Sequence, residues 1–209
     1  DNVGNVRTGM FGPYRIDKTA PSGAFSPNSS SWTNSNITTN FNPSDSGGSG
    51  VYRWRYRTSS NNGSSYGSWS SYINGDTTRG ITLNTTGKHK VQAQVVDKAG
   101  NSKVVTSNTF HIDKTLPTAS ASPASSGWGN NDVKVTLNFN DAHSGVKTTQ
   151  YKWSTSTSRP GSWDKYSGPV TQSKNGTWYL HYRVVDKTGN VKHGRFGPYR
   201  IDKTKPSGA

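Results

Sequence analysis

The chain of 209 residues has no cysteine, no glutamate, a single methionine and no long apolar run. The missing cysteine excludes disulfide staples and thiolate metal sites, and suits an exported protein that does without redox chemistry. The missing glutamate leaves eleven aspartates as the whole acidic complement. Glutamate favours helix and aspartate favours turns, so the bias points away from helices. It also removes two common devices, the glutamate general acid and the bidentate glutamate ligand of calcium loops. A helix needs about 20 apolar residues to cross a bilayer, and no run approaches this, so no membrane span is expected. Neither a leader segment nor an initiator methionine is present, and the sequence reads as an interior piece of something longer. Only 28% of residues are hydrophobic, which suits two small cores better than one large one.

What is present is Gly, Ser, Thr and Asn in quantity, with apolar residues in short alternating runs. That is the pattern of an all-β protein with many turns. Lysine and arginine number 25, for a net charge of +14 spread along the chain. Such a charge attracts polyanions, among them anionic cell-wall polymers or glycans. It also solvates sheet surfaces and protects their edges. No nucleic-acid recognition module is visible.

The sequence repeats itself. "FGPYRIDKT" occupies residues 11 to 19 and again 196 to 204, and eighteen of the 24 positions in residues 1–24 recur in 186–209. Within that span "VVDKAGNS" (95 to 102) matches "VVDKTGNV" (184 to 191), with "DNVGN" at 1 to 5 as a third copy. An alternating strand precedes each complete copy: Val91, Ala93 and Val95 in one, Leu180, Tyr182 and Val184 in the other. Lys90, Gln92 and Gln94, or Tyr179, His181 and Arg183, fall on the opposite, polar face. "DKxGN" reads as a hairpin: Asp97 or Asp186 bonding nearby backbone, Gly100 or Gly189 supplying positive φ, then Asn101 or Asn190. Asp113 with Pro117, and Asp202 with Pro206, mark short stiff joints. "SGVYRWRYRTS" (49 to 59) parallels "SGVKTTQYKWS" (144 to 154), and "GSWSSY" (67 to 72) parallels "GSWDKY" (161 to 166). Each unit thus holds about seven short strands in about 90 to 95 residues, the rhythm of an immunoglobulin-like sandwich.

The pattern "IDKTxPS…SxWxN…SGV…Y.W…G.W…VVDKxGN" resembles the bacterial Ig-like tandem repeats of large Gram-positive surface proteins. The resemblance implies an all-β chain of two tandem sandwiches. Residues 1–16 are read as the final strand of a preceding repeat, 17–113 as the first Ig-like domain, 114–203 as the second, and 204–209 as the start of a following repeat. It implies an extracellular, cell-surface location and a structural role in a fibre, stalk or filament, with neighbouring repeats or copies as partners. The alternative is an adhesin or carbohydrate-binding module using exposed aromatic residues. Some domains of this kind carry a Lys–Asn isopeptide bond, which needs a buried acid, whereas lysines such as Lys90 and Lys134 alternate outward.

The residues offer little catalysis. The five histidines are scattered, no zinc spacing or serine nucleophile elbow occurs, and no enzyme activity or cofactor is expected. Aspartates at the joints could hold calcium, but each joint Asp is followed by Lys and no calcium-loop spacing occurs, so no metal is expected. Trp32 and Trp128 are expected to pack where the second strand begins. Core or rim packing is the plain reading of the paired Trp69 and Trp163. The alternative is a stacking platform with Tyr72 and Tyr166. Trp54, flanked by Arg53 and Arg55, reads as the most exposed tryptophan and a candidate ligand or inter-subunit contact.

Overall fold

The computed structural model describes residues 2–208; Asp1, matched in sequence to Asp186, and Ala209 lie outside them. The described residues form strands and turns only, arranged as two sandwiches in tandem.

The first sandwich contains β1 (Ser22–Ser26), β2 (Trp32–Thr33), β3 (Ile37–Ser44), β4 (Val51–Ser59), β5 (Ile73–Asn74), β6 (Arg79–Leu83), β7 (Gly87–Asp97), β8 (Ser102–Thr106) and β9 (Phe110–Ile112). One sheet runs β1-β3-β6. The other runs β2-β9-β7-β4-β5, with β8 also on β7. The second sandwich contains β10 (Thr118–Ser122), β11 (Trp128–Gly129), β12 (Val133–Asn140), β13 (Val146–Ser154), β14 (Asp164–Lys165), β15 (Val170–Gln172), β16 (Gly176–Asp186) and β17 (Val191–Ile201). Its sheets are β10-β12-β15 and β11-β17-β16-β13-β14, the same plan. In each sandwich the short second strand pairs parallel to the last, as Trp32 opposite His111 and Trp128 opposite Arg200. The other pairings are antiparallel.

Period-two alternation builds the cores. In β3, Ile37, Thr39 and Phe41 all face inward, and Thr39 closes its hydroxyl onto Pro27 O at 2.6 Å. In β7, Val91, Ala93 and Val95 are fully buried. The first core packs tilted rings together: Phe25 lies 4.7 Å from Phe41, and Phe41 lies 4.9 Å from Trp54. The second core uses tyrosine, and each buried hydroxyl must find a partner. Tyr199 donates to Pro123 O at 2.7 Å, and burial pushes its hydroxyl up to about 12. Tyr166 accepts from Leu137 N at 2.8 Å.

The last strands differ between sandwiches. β17 is continuous and bulges at Gly197-Pro198, where its register with β16 shifts. Its counterpart is broken into β8 and β9. Ser107 bridges the gap: its N–H donates to Val91 O and its hydroxyl accepts from Val91 N, both at 2.9 Å. Three expectations about facing are corrected. Trp128 is 65% exposed at the start of β11 rather than packed. His181 is buried on the supposedly polar face, because its Nε2–H reaches Ser156 O at 2.9 Å under an overlying loop. Trp54 is wholly buried in the first core, its Nε1–H donating to Thr77 O at 3.1 Å.

Residues 5–21 make no ladder with the first sandwich, and Val6, Met10, Phe11, Tyr14 and Ile16 are exposed. Residues 4–13 nevertheless match β17 and its turn at the special positions: Gly4 and Gly189 have φ of 87° and 96°, Gly12 and Gly197 of 125° and 115°, with a cis bond to proline after each of the latter pair.

Candidate functional site

Two places gather the residues singled out by sequence: the joints, and the outer face of the first sandwich.

Each sandwich has three carboxylates at the pole where the chain enters it. Asp17, Asp45 and Asp97 meet in the first and Asp113, Asp141 and Asp186 in the second, each set with ligand-capable oxygens within 4.8 Å of one another. They come from the joint, the turn before "SGV" and the DKxGN hairpin, segments that no local motif links. At the second pole Asp186 Oδ1 accepts from the N–H groups of Thr188 (2.9 Å) and Asn190 (2.8 Å), and Oδ2 accepts from Asn190 Nδ2 at 2.6 Å. Gly189 provides the left-handed φ that this turn requires. Asp97 makes the same pair of bonds to Asn101, with Gly100 in the matching conformation. Asp141 Oδ1 accepts from Gly145 N at 2.6 Å, whereas its Oδ2 is buried without a donor.

Asp113 ties the two sandwiches together. Its N–H donates to Thr33 O of the first at 2.8 Å. Its Oδ2 accepts from Ser144 N of the second at 3.0 Å, and its carbonyl accepts from Asn190 Nδ2 at 2.9 Å and Thr188 Oγ1 at 3.2 Å. Burial raises its carboxyl pKa, but the bonds from Ser144 and Thr115 and the nearby His143 outweigh this and hold it below the usual range. Trp32 and His143 add a ring contact across the joint at 6.1 Å. Pro117 is buried beyond it. The other joints reuse the wiring. Asp17 accepts Ser49 N on Oδ2 and Asn101 Nδ2 on its carbonyl, both at 3.1 Å. Asp202 donates its N–H to Gly129 O at 2.8 Å, and both it and Pro206 are exposed. Carboxylate sets of this kind can contribute to a hard-cation shell, which takes six to eight oxygens. Here most of the oxygens already organise backbone N–H groups.

The aromatic candidates divide. Tyr166 packs edge-on against Phe139 and Tyr151 and belongs, like Trp54, to a core, so neither offers a ligand a free ring. Trp163 lies tilted against His193 at 5.6 Å, and the pKa of His193 is lowered by burial and by Arg159 and Arg183. Trp69 and Tyr72 lie in a row that sequence reading missed. Residues 66–72 run irregularly beside β4, bonded through Gly67 N to Thr58 O (3.0 Å) and Ser70 N to Tyr56 O (2.7 Å), before β5 pairs with Arg53 and Trp54. This brings Tyr66, Trp69 and Tyr72, three residues apart, against Arg53, Arg55 and Arg57, two residues apart. Arg53 lies 5.2 Å from the Tyr52 ring and 4.0 Å from Tyr72. Arg55 lies 4.8 Å from Tyr72 and 4.9 Å from Trp69. Arg57 lies 4.4 Å from Trp69 and 5.0 Å from Tyr66. Arg55 and Arg57 also donate Nε–H to Gln94 and Gln92 at 2.8 and 2.9 Å. The visible signal was RxRxR facing YxxWxxY, but only the fold places the two side by side.

No protein of curated function matches the chain. Among solved structures it is similar to the fibronectin(III)-like modules of Clostridium thermocellum CbhA. That match has 13% identity over 86% of this chain and 94% of that one, with a TM-score of 0.35. It is also similar to the FN1–FN3 domains of chicken CNTN1, at 7% identity over 87% and 68%, with a TM-score of 0.28. Residues 21–114, which span the first sandwich from β1 to β9, match the family model of the bacterial Ig-like domain.

Proposed function

We propose that the chain is a structural extracellular repeat, two sandwiches of a longer surface fibre or stalk, with joints that set its stiffness. The observation that carries this is Asp113, whose backbone is bonded into both sandwiches and whose side chain is bonded into the second. The same wiring recurs in part at Asp17 and Asp202, as a periodic array of such joints requires. In this reading 17–113 and 114–203 are the repeats, residues up to 16 are the final strand of a preceding repeat, and those from 204 begin another. The matching conformations of Gly4 with Gly189 and of Gly12-Pro13 with Gly197-Pro198 support that assignment. The partners are then other repeats or copies, outside the cell. Small-angle scattering of the chain tests this: an extended pair of sandwiches is expected, and a folded-back compact pair overturns it.

The alternative, a carbohydrate-binding module with exposed rings, has less support. Trp69 and Tyr72 each carry two guanidinium groups over the ring, Trp54 is packed inside, and Tyr166 is half-buried against the second core.

A further inference from the structure

We propose that Arg53, Arg55 and Arg57 form a binding track for a linear phosphodiester-linked polyol chain. The fold does not require this row. The second sandwich builds the same strand with Thr148, Gln150 and Lys152 in those places, and there the arginine sits on the neighbouring strand, Arg183 donating to Gln150 at 2.7 Å. Among the described residues neither ion pair involves the three arginines. Three like charges are thus held in line without a carboxylate. Ring faces and the Gln92 and Gln94 amides orient them, and Arg53 Nε is buried with no partner. Cations fixed by π faces keep their outer N–H groups for an anion, and guanidinium suits phosphate by its planar fork.

Spacing selects the polymer. Alternate residues on a strand are roughly 7 Å apart. Three backbone bonds extend about 3.3 to 3.6 Å, so a repeat of six bonds between phosphorus atoms also spans about 7 Å. Phosphates linked through a three-carbon polyol have that repeat, and so does a nucleic-acid strand. The rings decide between them. Single-stranded nucleic acid binds by stacking bases on free aromatic faces. Trp69 and Tyr72 each already carry two guanidinium groups, 4.0 to 4.9 Å from the ring centre, which compete with a base for the same rings.

The test titrates the full chain with a synthetic oligo(glycerol phosphate), and with oligothymidylate of equal phosphate count. The glycerol phosphate is expected to bind the more tightly. R53Q/R55Q/R57Q should weaken it by roughly tenfold or more and reduce the log–log salt slope by about two. A control variant, K134Q/K147Q/K192Q, removes the same charge from exposed sites on the second sandwich and should leave binding within about twofold, since surface changes away from a site act weakly. In the unaltered chain, amide shifts on titration should concentrate at residues 52–57 and 66–72, which reads the site without relying on a variant that folds. Equal loss in the control, equal or tighter binding of oligothymidylate, or shifts scattered over both sandwiches would overturn the proposal. None of these outcomes bears on the extended shape proposed above.

Discussion

Trp54 and Trp128 show how far a residue's neighbours mislead. Charged flanks made Trp54 look exposed, yet RWRYR alternates, so Trp54 and Tyr56 share the inner face and the arginines the outer. The period was present in the letters, and the charges distracted from it. Trp54→Ala is expected to cost about 3 to 5 kcal/mol, as for other buried aromatic truncations. Trp128→Ala should stay within about 0.5 kcal/mol. Urea unfolding of the two variants checks the contrast, and equal losses would contradict it. Asp186 is a second case. Its turn role was legible from DKxGN, but its place in a three-carboxylate pole was not, because Asp113 and Asp141 arrive from distant segments. Asp186→Ala leaves the part-buried donors of Thr188 and Asn190 unmatched and should cost about 1 to 3 kcal/mol. Asp186→Asn, which keeps one acceptor oxygen, should cost less, and a reversed order would show that the hydrogen bonds are not what matters.

At the level of strands, period two made β3, β7, β12 and β16 readable, and the hairpins followed from Asp and Gly. The edge beside β4 was not readable. It advances three residues per ring, a spacing that matches no strand template and acquires meaning only against the arginines opposite. The break between β8 and β9 was equally silent, since a serine at the gap looks like any other turn serine. Its work is specific: Ser107 supplies the partner that Val91 N would have had in an unbroken ladder. Ser107→Ala should therefore destabilise the first sandwich by about 1 to 3 kcal/mol, the cost of a buried amide left unpaired. Hydrogen exchange at the Val91 amide should accelerate beyond the global change. An unaltered exchange rate there would mean that the ladder closes without the hydroxyl.

For the molecule as a whole, Asp113 makes the joint sensitive to acid. Its pKa is lower in the folded chain than in the unfolded one. The stabilisation is thus fully present above the ordinary aspartate value, about 3.9, and is lost as pH falls through the folded value. Scattering profiles of the chain should be constant near neutrality and show a loosened joint only well into acid. Asp113→Asn should remove this dependence; a joint that loosens identically in the variant would assign it to other groups. The parallel pairing of β2 with β9, and of β11 with β17, carries one more consequence. Tension along the chain pulls on the two ends of each sandwich in opposite directions, along neighbouring strands that point the same way. The bonds at Trp32–Thr33 and at Asp113 N to Thr33 O are then strained sideways and together, rather than peeled open one at a time. A sandwich wired in this manner yields to stretching in abrupt steps, so a string of them under drag would lengthen as a ratchet of separate ruptures and not as a smooth spring.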